Sequence, residues 1–97
     1  MKPNINDVVC AEFGVSMEEL KMNGRQLHVF IPRAVIMWYN VRQFVNRDKI
    51  AAEFNTKRSN TYNSVKKINE LIVTDKMFSN RINFILEQMK HKTNEQI

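Results

Sequence analysis

The sequence of 97 residues contains few of the residues that mark disulfide-rich, membrane-spanning or loop-rich proteins. Its single cysteine, Cys10, excludes an intramolecular disulfide and therefore a disulfide-stapled secreted scaffold. The longest apolar runs, 29–31 and 35–39, are far shorter than the roughly 18 residues that a membrane span needs. The first residues also lack the apolar stretch of a secretory signal. We therefore expect residues 1–97 to form a single soluble domain in the cytoplasm.

The groupings of residues that catalysis, metal binding or nucleotide binding require are also missing. The two histidines, His28 and His91, stand far apart with no accompanying cluster of Cys, His or Asp. The sequence contains neither a glycine-rich phosphate-binding motif nor a nucleophile with a neighbouring base. Cys10 falls on or near an apolar stripe, where a small buried hydrophobic residue is the common occupant. We expect no enzymatic activity, no metal and no cofactor.

Positive charge is concentrated in the middle of the chain. Lys and Arg number 15 against 10 Asp and Glu, which gives a net charge of +5. Residues 21–67 carry ten basic and two acidic residues, a net +8, whereas residues 1–20 carry −3 and residues 68–97 are neutral. Such asymmetry is typical of a protein with an anionic partner, although a solvated basic face without a partner has the same charge pattern.

The spacing of apolar residues predicts an all-α fold, a compact bundle of about five to six helices. Only two glycines and two prolines interrupt the chain. A first helix is expected to end at Gly14, and the capping box of Ser16 and Glu19 predicts a short second helix over about 16–22. Asn23–Gly24 then predicts a turn.

A core helix and a final helix follow from the same periodicity. Residues 25–31 are expected to form an extended connector, with Pro32 as the first helical residue. The predicted core stripe of the helix consists of Ala34, Met37, Trp38, Val41, Phe44 and Val45. A last helix is expected to start at Thr74–Asp75 and to end in a frayed tail, residues 90–97. Its inward residues are Phe78, Ile82, Ile85 and Met89.

Residues 46–72 have the pattern of a helix-turn-helix. A short helix begins near Asn46–Asp48, and a polar turn over 55–58 follows it. Ser59 is then predicted to cap a longer helix that buries Thr61, Val65 and Ile68. The bland alternative is a packing unit with a solvated polar face.

In a helix-turn-helix, the second helix enters the major groove of DNA and its first residues meet base edges. The spacing leaves polar and basic side chains on the outer face, which suit base edges and phosphates. The predicted base contacts are Arg58, Ser59, Asn60 and Asn63. The predicted phosphate contacts are Arg47, Lys49, Lys57, Lys66 and Lys67. Tyr62 lies at the edge of the buried stripe, near this face.

The sequence resembles the C-terminal DNA-binding domain of the bacterial replication initiator DnaA. The likeness covers about residues 5–73, and it is carried by residues 12–20 (EFGVSMEEL) and by Arg25, Val29, Pro32, Arg33, Met37 and Trp38 at ungapped spacing. It continues through Ile50, Phe54, Lys67 and Ile68. The resemblance implies a Trp-repressor-like helical fold that contacts both grooves, with Arg25 in the minor groove and Arg33 near the phosphate backbone.

The chain departs from the pattern of that family in three respects. Where the family reads its recognition box through an R-D-H-T-T stretch, this sequence has residues 57–61 (KRSNT), with one residue fewer between Phe54 and Ile68. The stretch before Pro32 is apolar rather than basic, and we expect no ATPase domain. We expect a free-standing relative, such as phages or mobile elements carry, with altered or lost sequence specificity.

Two functions remain after these observations. The first is a nucleoid-associated protein that binds double-stranded DNA in replication initiation or transcriptional control. The alternative is a protein-interaction module that binds a host replication or regulatory protein, with the apolar segment 27–31 as an exposed patch. We expect no membrane partner, and the sequence leaves the oligomeric state, including a homodimer, open.

Overall fold

In a computed structural model, which describes residues 4–22 and 27–94, the described chain forms six α-helices and no strand. The helices are α1 (Ile5–Phe13), α2 (Met17–Lys21), α3 (Leu27–Arg42), α4 (Arg47–Glu53), α5 (Arg58–Thr74) and α6 (Lys76–Asn94). The prediction of an all-α bundle of five to six helices is confirmed. No helix of the described residues is long and apolar enough to cross a membrane.

Capping residues set the ends of the first two helices where the sequence predicts them. Gly14 takes the left-handed conformation, with φ 66°, and closes α1. Ser16 Oγ accepts a hydrogen bond from the Glu19 amide at 3.2 Å, and Glu19 Oε1 accepts one from the Ser16 amide at 3.1 Å. This reciprocal capping box starts α2. The predicted turn at Asn23–Gly24 lies outside the described residues.

The core helix α3 begins earlier than the sequence predicts. The expected extended connector is wrong for residues 27–31, which are helical, and Pro32 lies inside the helix rather than at its first position. Proline cannot donate the amide hydrogen bond of a helix interior, which disfavours this placement locally. Pro32 is fully buried, however, and Val29 is only 6% exposed. Burial of this face outweighs the local preference, because tertiary packing supplies most of the stability of a helix.

The predicted stripe of α3 fails at Phe44, which is 96% exposed. The helix ends at Arg42, and the chain reverses in a Schellman-type turn. In this turn the Phe44 amide donates to the Val41 carbonyl and the Val45 amide donates to the Asn40 carbonyl, both at 3.0 Å. Phe44 has φ 63°, a left-handed conformation that glycine or asparagine commonly adopts. The turn therefore directs the phenyl ring into solvent.

The core lies on both sides of α3, whose residues Ala34, Val35, Ile36, Met37 and Trp38 are buried. Helix α4 and its C-cap residue contribute Ile50, Ala51 and Phe54, which are buried. Helix α5 packs across α3 through Thr61, Ser64 and Ile68, and α6 adds Phe78, Ile82 and Ile85. Helix α6 extends to Asn94, so the predicted tail is helical from residue 90 to residue 94. Residues 95–97 lie outside the described part.

We predict that Phe44→Asn stabilises the fold. Asparagine tolerates the left-handed conformation better than phenylalanine, and the exposed ring gives up no packing. The free energy of unfolding should rise by about 0.5–1 kcal/mol, measured by urea denaturation. Phe44→Ala is the matched control, because it removes the ring but keeps the Cβ atom, and it should change stability by less than about 0.5 kcal/mol. An equal gain in both variants would show that the ring, not the backbone, is the source.

Candidate nucleic-acid interface

Helices α4 and α5 form the predicted helix-turn-helix. The side chain of Asn46 caps α4 by accepting hydrogen bonds from the amides of Asp48 at 2.8 Å and Lys49 at 3.3 Å. In the turn that follows, Asn55 takes φ 54° and the Thr56 amide donates to the Ala51 carbonyl at 3.0 Å. The turn joins a short helix to a longer one.

The start of α5 differs from the prediction. Ser59 is not the N-cap residue, because Lys57 takes the extended cap conformation and α5 begins at Arg58. No side chain makes a cap hydrogen bond at Lys57. The turn after α4 is short enough that Ser59 already lies in the first helical turn. Its hydroxyl is therefore exposed on the helix surface rather than committed to a cap.

The outer face of α5 is the one that the sequence predicts. Thr61 and Ser64 are buried with Ile68, and this burial sets the rotation of the helix about its axis. The opposite side carries the predicted contacts Ser59, Asn60, Asn63, Lys66 and Lys67, all of which are exposed. The amide of the Asn60 side chain donates to the hydroxyl of Thr56, which orients it from the turn.

Asn60 and Asn63 also border a cleft between α5 and α3. The cleft has a volume of about 340 Å³, and its other lining residues are Phe30, Arg33, Met37, Thr56 and Ser64. Arg33, which the resemblance places near the DNA backbone, therefore lies at the same opening as two predicted base contacts. The fold brings together residues that are far apart in the sequence.

Arg33 is also part of the scaffold. Its Nη1 atom donates to the carbonyl oxygens of Leu20 at 3.2 Å and Met22 at 3.3 Å, at the end of α2. Burial lowers the pKa of the Arg33 guanidinium from its ordinary value, although arginine stays charged at neutral pH. The sequence does not reveal this second role, because it depends on how α2 packs against α3.

A cluster of four polar side chains joins the starts of α4 and α5. Arg58 Nη2 donates to Tyr62 Oη at 3.4 Å, and Arg58 Nε lies 3.9 Å from Asp48 Oδ1. The Arg47 guanidinium carbon lies 4.8 Å from the centroid of the Tyr62 ring. The hydrogen bond with Tyr62, together with the negative charge of Asp48, raises the pKa of Arg58. Two predicted contacts, Arg47 and Arg58, are thus held by one aromatic ring.

Tyr62 and Asp48 are members of the site that sequence reasoning does not assign. One signal was available, because Arg58 and Tyr62 are four residues apart on a helix and such residues are neighbours. No spacing in the sequence predicts the contact of Arg47 with the same ring, because that contact depends on how α4 and α5 pack against each other.

The remaining predicted contacts lie at the helix starts or outside the described residues. Lys49 is exposed in the first turn of α4, and Lys57 is exposed immediately before α5. Arg25, the predicted minor-groove residue, lies outside the described residues. The exposed lysines Lys49, Lys57, Lys66 and Lys67 make no ion pair within the described part of the chain. Their charge is open to an external anion.

Within the apolar segment 27–31, residues 29–31 do not form the exposed patch on which the alternative function depended. Val29 is buried, and Phe30 and Ile31 are partly buried against the core. Helix α3 turns residues 29–31 toward the core, whereas an extended connector would have exposed part of them. The prediction of an exposed protein-docking patch is therefore wrong for residues 29–31.

The described residues offer little for metal or thiol chemistry. No group of three or more His, Cys, Asp or Glu within ranges 4–22 and 27–94 is placed to hold a metal ion. Burial, with a smaller contribution from the carboxylates of Asp7 and Glu19, raises the pKa of the Cys10 thiol. The reactive thiolate form is therefore disfavoured at neutral pH.

Comparison with known proteins identifies one family. The model of the bacterial dnaA protein helix-turn-helix matches residues 3–68, about two thirds of the chain. The matched segment contains α1 to α4 and the first three turns of α5. No curated protein matches the chain significantly.

We predict that Arg33→Gln lowers the free energy of unfolding by about 1–2 kcal/mol, because hydrogen bonds from a charged donor to two carbonyls are lost. Lys49→Gln is the matched control, since it removes one positive charge from an exposed position. It should change stability by less than about 0.5 kcal/mol. Urea denaturation of both variants checks the difference, and equal stabilities would contradict the structural role of Arg33.

Proposed function

This chain belongs to the family of bacterial DnaA helix-turn-helix domains, and on that premise we propose that it binds double-stranded DNA. The binding face is the outer side of α5 together with the start of α4. The protein acts in replication initiation or in transcriptional control, and it prefers a DNA sequence of its own.

The observation that carries this proposal is the distribution of side chains on α5. Exposed Ser59, Asn60 and Asn63 occupy the first half of the helix, where a helix-turn-helix meets base edges. Asparagine pairs with adenine through two hydrogen bonds, and serine both donates and accepts. Arg58, at the first helical position, has the fork geometry that pairs with guanine. These four residues are the proposed base-reading set.

Basic residues flank this set on the same two helices. Lys57 precedes α5, Lys66 and Lys67 follow the reading residues, and Arg47 and Lys49 begin α4. We assign these five residues to phosphate contacts, which supply most of the affinity for DNA. Arg33 joins them because it lines the cleft beside Asn60 and Asn63. Arg25 is proposed for the minor groove on the resemblance alone.

The replacement of the recognition stretch of the family supports a distinct target sequence. Residues 57–61 (KRSNT) lack an Asp–His pair but supply Arg, Ser and Asn, all of which hydrogen-bond to base edges. A domain of this size makes few phosphate contacts, so we expect modest affinity unless two copies bind together.

Selection from random duplex DNA tests the proposal directly. We expect enrichment of a common short site, with an affinity that falls steeply as salt increases. If no duplex binds at low salt, the proposal fails, and capture of a defined host replication or regulatory protein would then favour an interaction module. Enrichment without a common site would retain DNA binding but remove the claim of sequence preference.

We predict that Lys67→Ala and Asn60→Ala weaken DNA binding in different ways. The lysine variant should weaken binding to all sequences and lower the slope of log affinity against log salt by about 1. The asparagine variant should cost about 1–3 kcal/mol on the selected site only, with an unchanged slope. Lys76→Ala, at the exposed start of α6, is the charge-matched control and should leave the slope unchanged. Unchanged affinity in both test variants would contradict the assignment.

A further inference from the structure

The side chain of Tyr62 contacts two arginines. It lies in the second turn of α5 with 49% of its surface exposed. The guanidinium carbon of Arg47 lies 4.8 Å from the centre of its ring, and that of Arg58 lies 5.9 Å away. Arg58 also donates a hydrogen bond to the Tyr62 hydroxyl. One side chain therefore contacts cationic groups from two helices of the helix-turn-helix.

The ring is what holds Arg47 in place. Arg47 Nε is buried and has no hydrogen-bond partner among the described residues. A cation over an aromatic face is attracted by the negative π surface, and arginine stacks on tyrosine particularly well. Within the described part of the chain, the contact with the Tyr62 ring is therefore what fixes the direction of the Arg47 guanidinium.

Arg58 is held differently, by groups that a nucleic acid can replace. Its Nε atom lies 3.9 Å from an Asp48 carboxylate oxygen, and both side chains are largely exposed, at 57% and 69%. Exposed ion pairs of this kind contribute little stability and are screened by salt. The two acceptor atoms of a guanine edge can therefore take the place of Asp48 at small cost.

The two arginines face one opening. Arg47, Asp48 and Arg58 line a shallow pocket of about 520 Å³ with Phe44, Val41, Val45 and Asn46. Two guanidinium groups at one opening repel each other, and the Tyr62 ring and the Asp48 carboxylate offset that repulsion in the free protein. The arrangement keeps two donors close together before any ligand arrives.

We propose that Tyr62 is a positioning residue for DNA binding, which rests on the proposed function. Its ring holds Arg47 toward the phosphate backbone, and its hydroxyl holds Arg58 at the start of the reading helix. Asp48 occupies Arg58 in the free protein and yields to DNA. Arginine side chains lose rotamer freedom when they bind, so prior ordering of two of them raises affinity without adding a contact.

Two substitutions separate the contribution of the Tyr62 ring to DNA binding from that of its hydroxyl. Tyr62→Phe keeps the ring over Arg47 and removes the hydroxyl, and it should weaken binding to the selected duplex about threefold. Tyr62→Leu removes both, and it should weaken binding about tenfold. The salt slope of the leucine variant should stay unchanged, because the number of cations that meet phosphate is the same. Phe84→Leu, 52% exposed on α6, is the matched aromatic control and should not affect binding.

A double-mutant cycle distinguishes positioning from mere structural support. In an Arg47→Gln, Arg58→Gln background, Tyr62→Leu should have no further effect on the dissociation constant, since nothing is left to position. An equal loss in both backgrounds would overturn the proposal, as would unchanged binding by Tyr62→Leu in the wild-type background. If the wild-type protein binds no duplex, the proposed function fails and this proposal fails with it. If the wild type binds and Tyr62→Leu binds equally well, only the Tyr62 proposal is lost.

Discussion

The packing of α5 across α3 determines where the candidate DNA contacts of α5 lie. Thr61, Ser64 and Ile68 form the buried side of α5, and Trp38 Nε1 donates to Asn69 Oδ1 at 3.0 Å farther along the same interface. Successive residues of a helix differ by roughly 100° in direction, so a rotation of α5 by one residue would carry exposed side chains into the interface with α3. Burial and one directional hydrogen bond prevent that rotation. The chemistry of Asn60 and Asn63 is therefore available only because apolar and small polar residues fix the opposite side.

The remaining helices brace this pair from other directions. Phe54, at the end of α4, is fully buried, and it links the first helix of the motif to the core. On another part of the molecule, Arg81 of α6 donates to the Glu12 carboxylate at 3.2 Å and to the Glu12 carbonyl at 3.0 Å, which ties α6 to α1. The charged residues thus have two different roles. Arg81 and Arg33 join elements of the scaffold, whereas the lysines of α4 and α5 leave their charges to solvent.

Much of this arrangement follows from the sequence alone. Local signals such as the Ser16–Glu19 capping box and the left-handed Gly14 act over a few residues, and periodicity identifies the buried face of each long helix. The failures arise either from packing between distant segments or from a local turn that the apolar spacing does not predict. Pro32 is held inside α3 by burial, and the turn at Phe44 ends the stripe that its spacing predicts. The contact of Arg47 with Tyr62 joins two helices, and no spacing rule within one helix reveals it.

Asn55, in the turn between α4 and α5, has a left-handed backbone conformation. Phe54 lies directly before this turn and Ile68 lies after it in α5, and both of these residues are fully buried. The turn is therefore anchored in the core on both sides, and its asparagine accommodates a tight reversal that most residues resist. Ser59 and Asn60, which follow the turn, are exposed, so substitutions there would change the surface of α5 without changing the core.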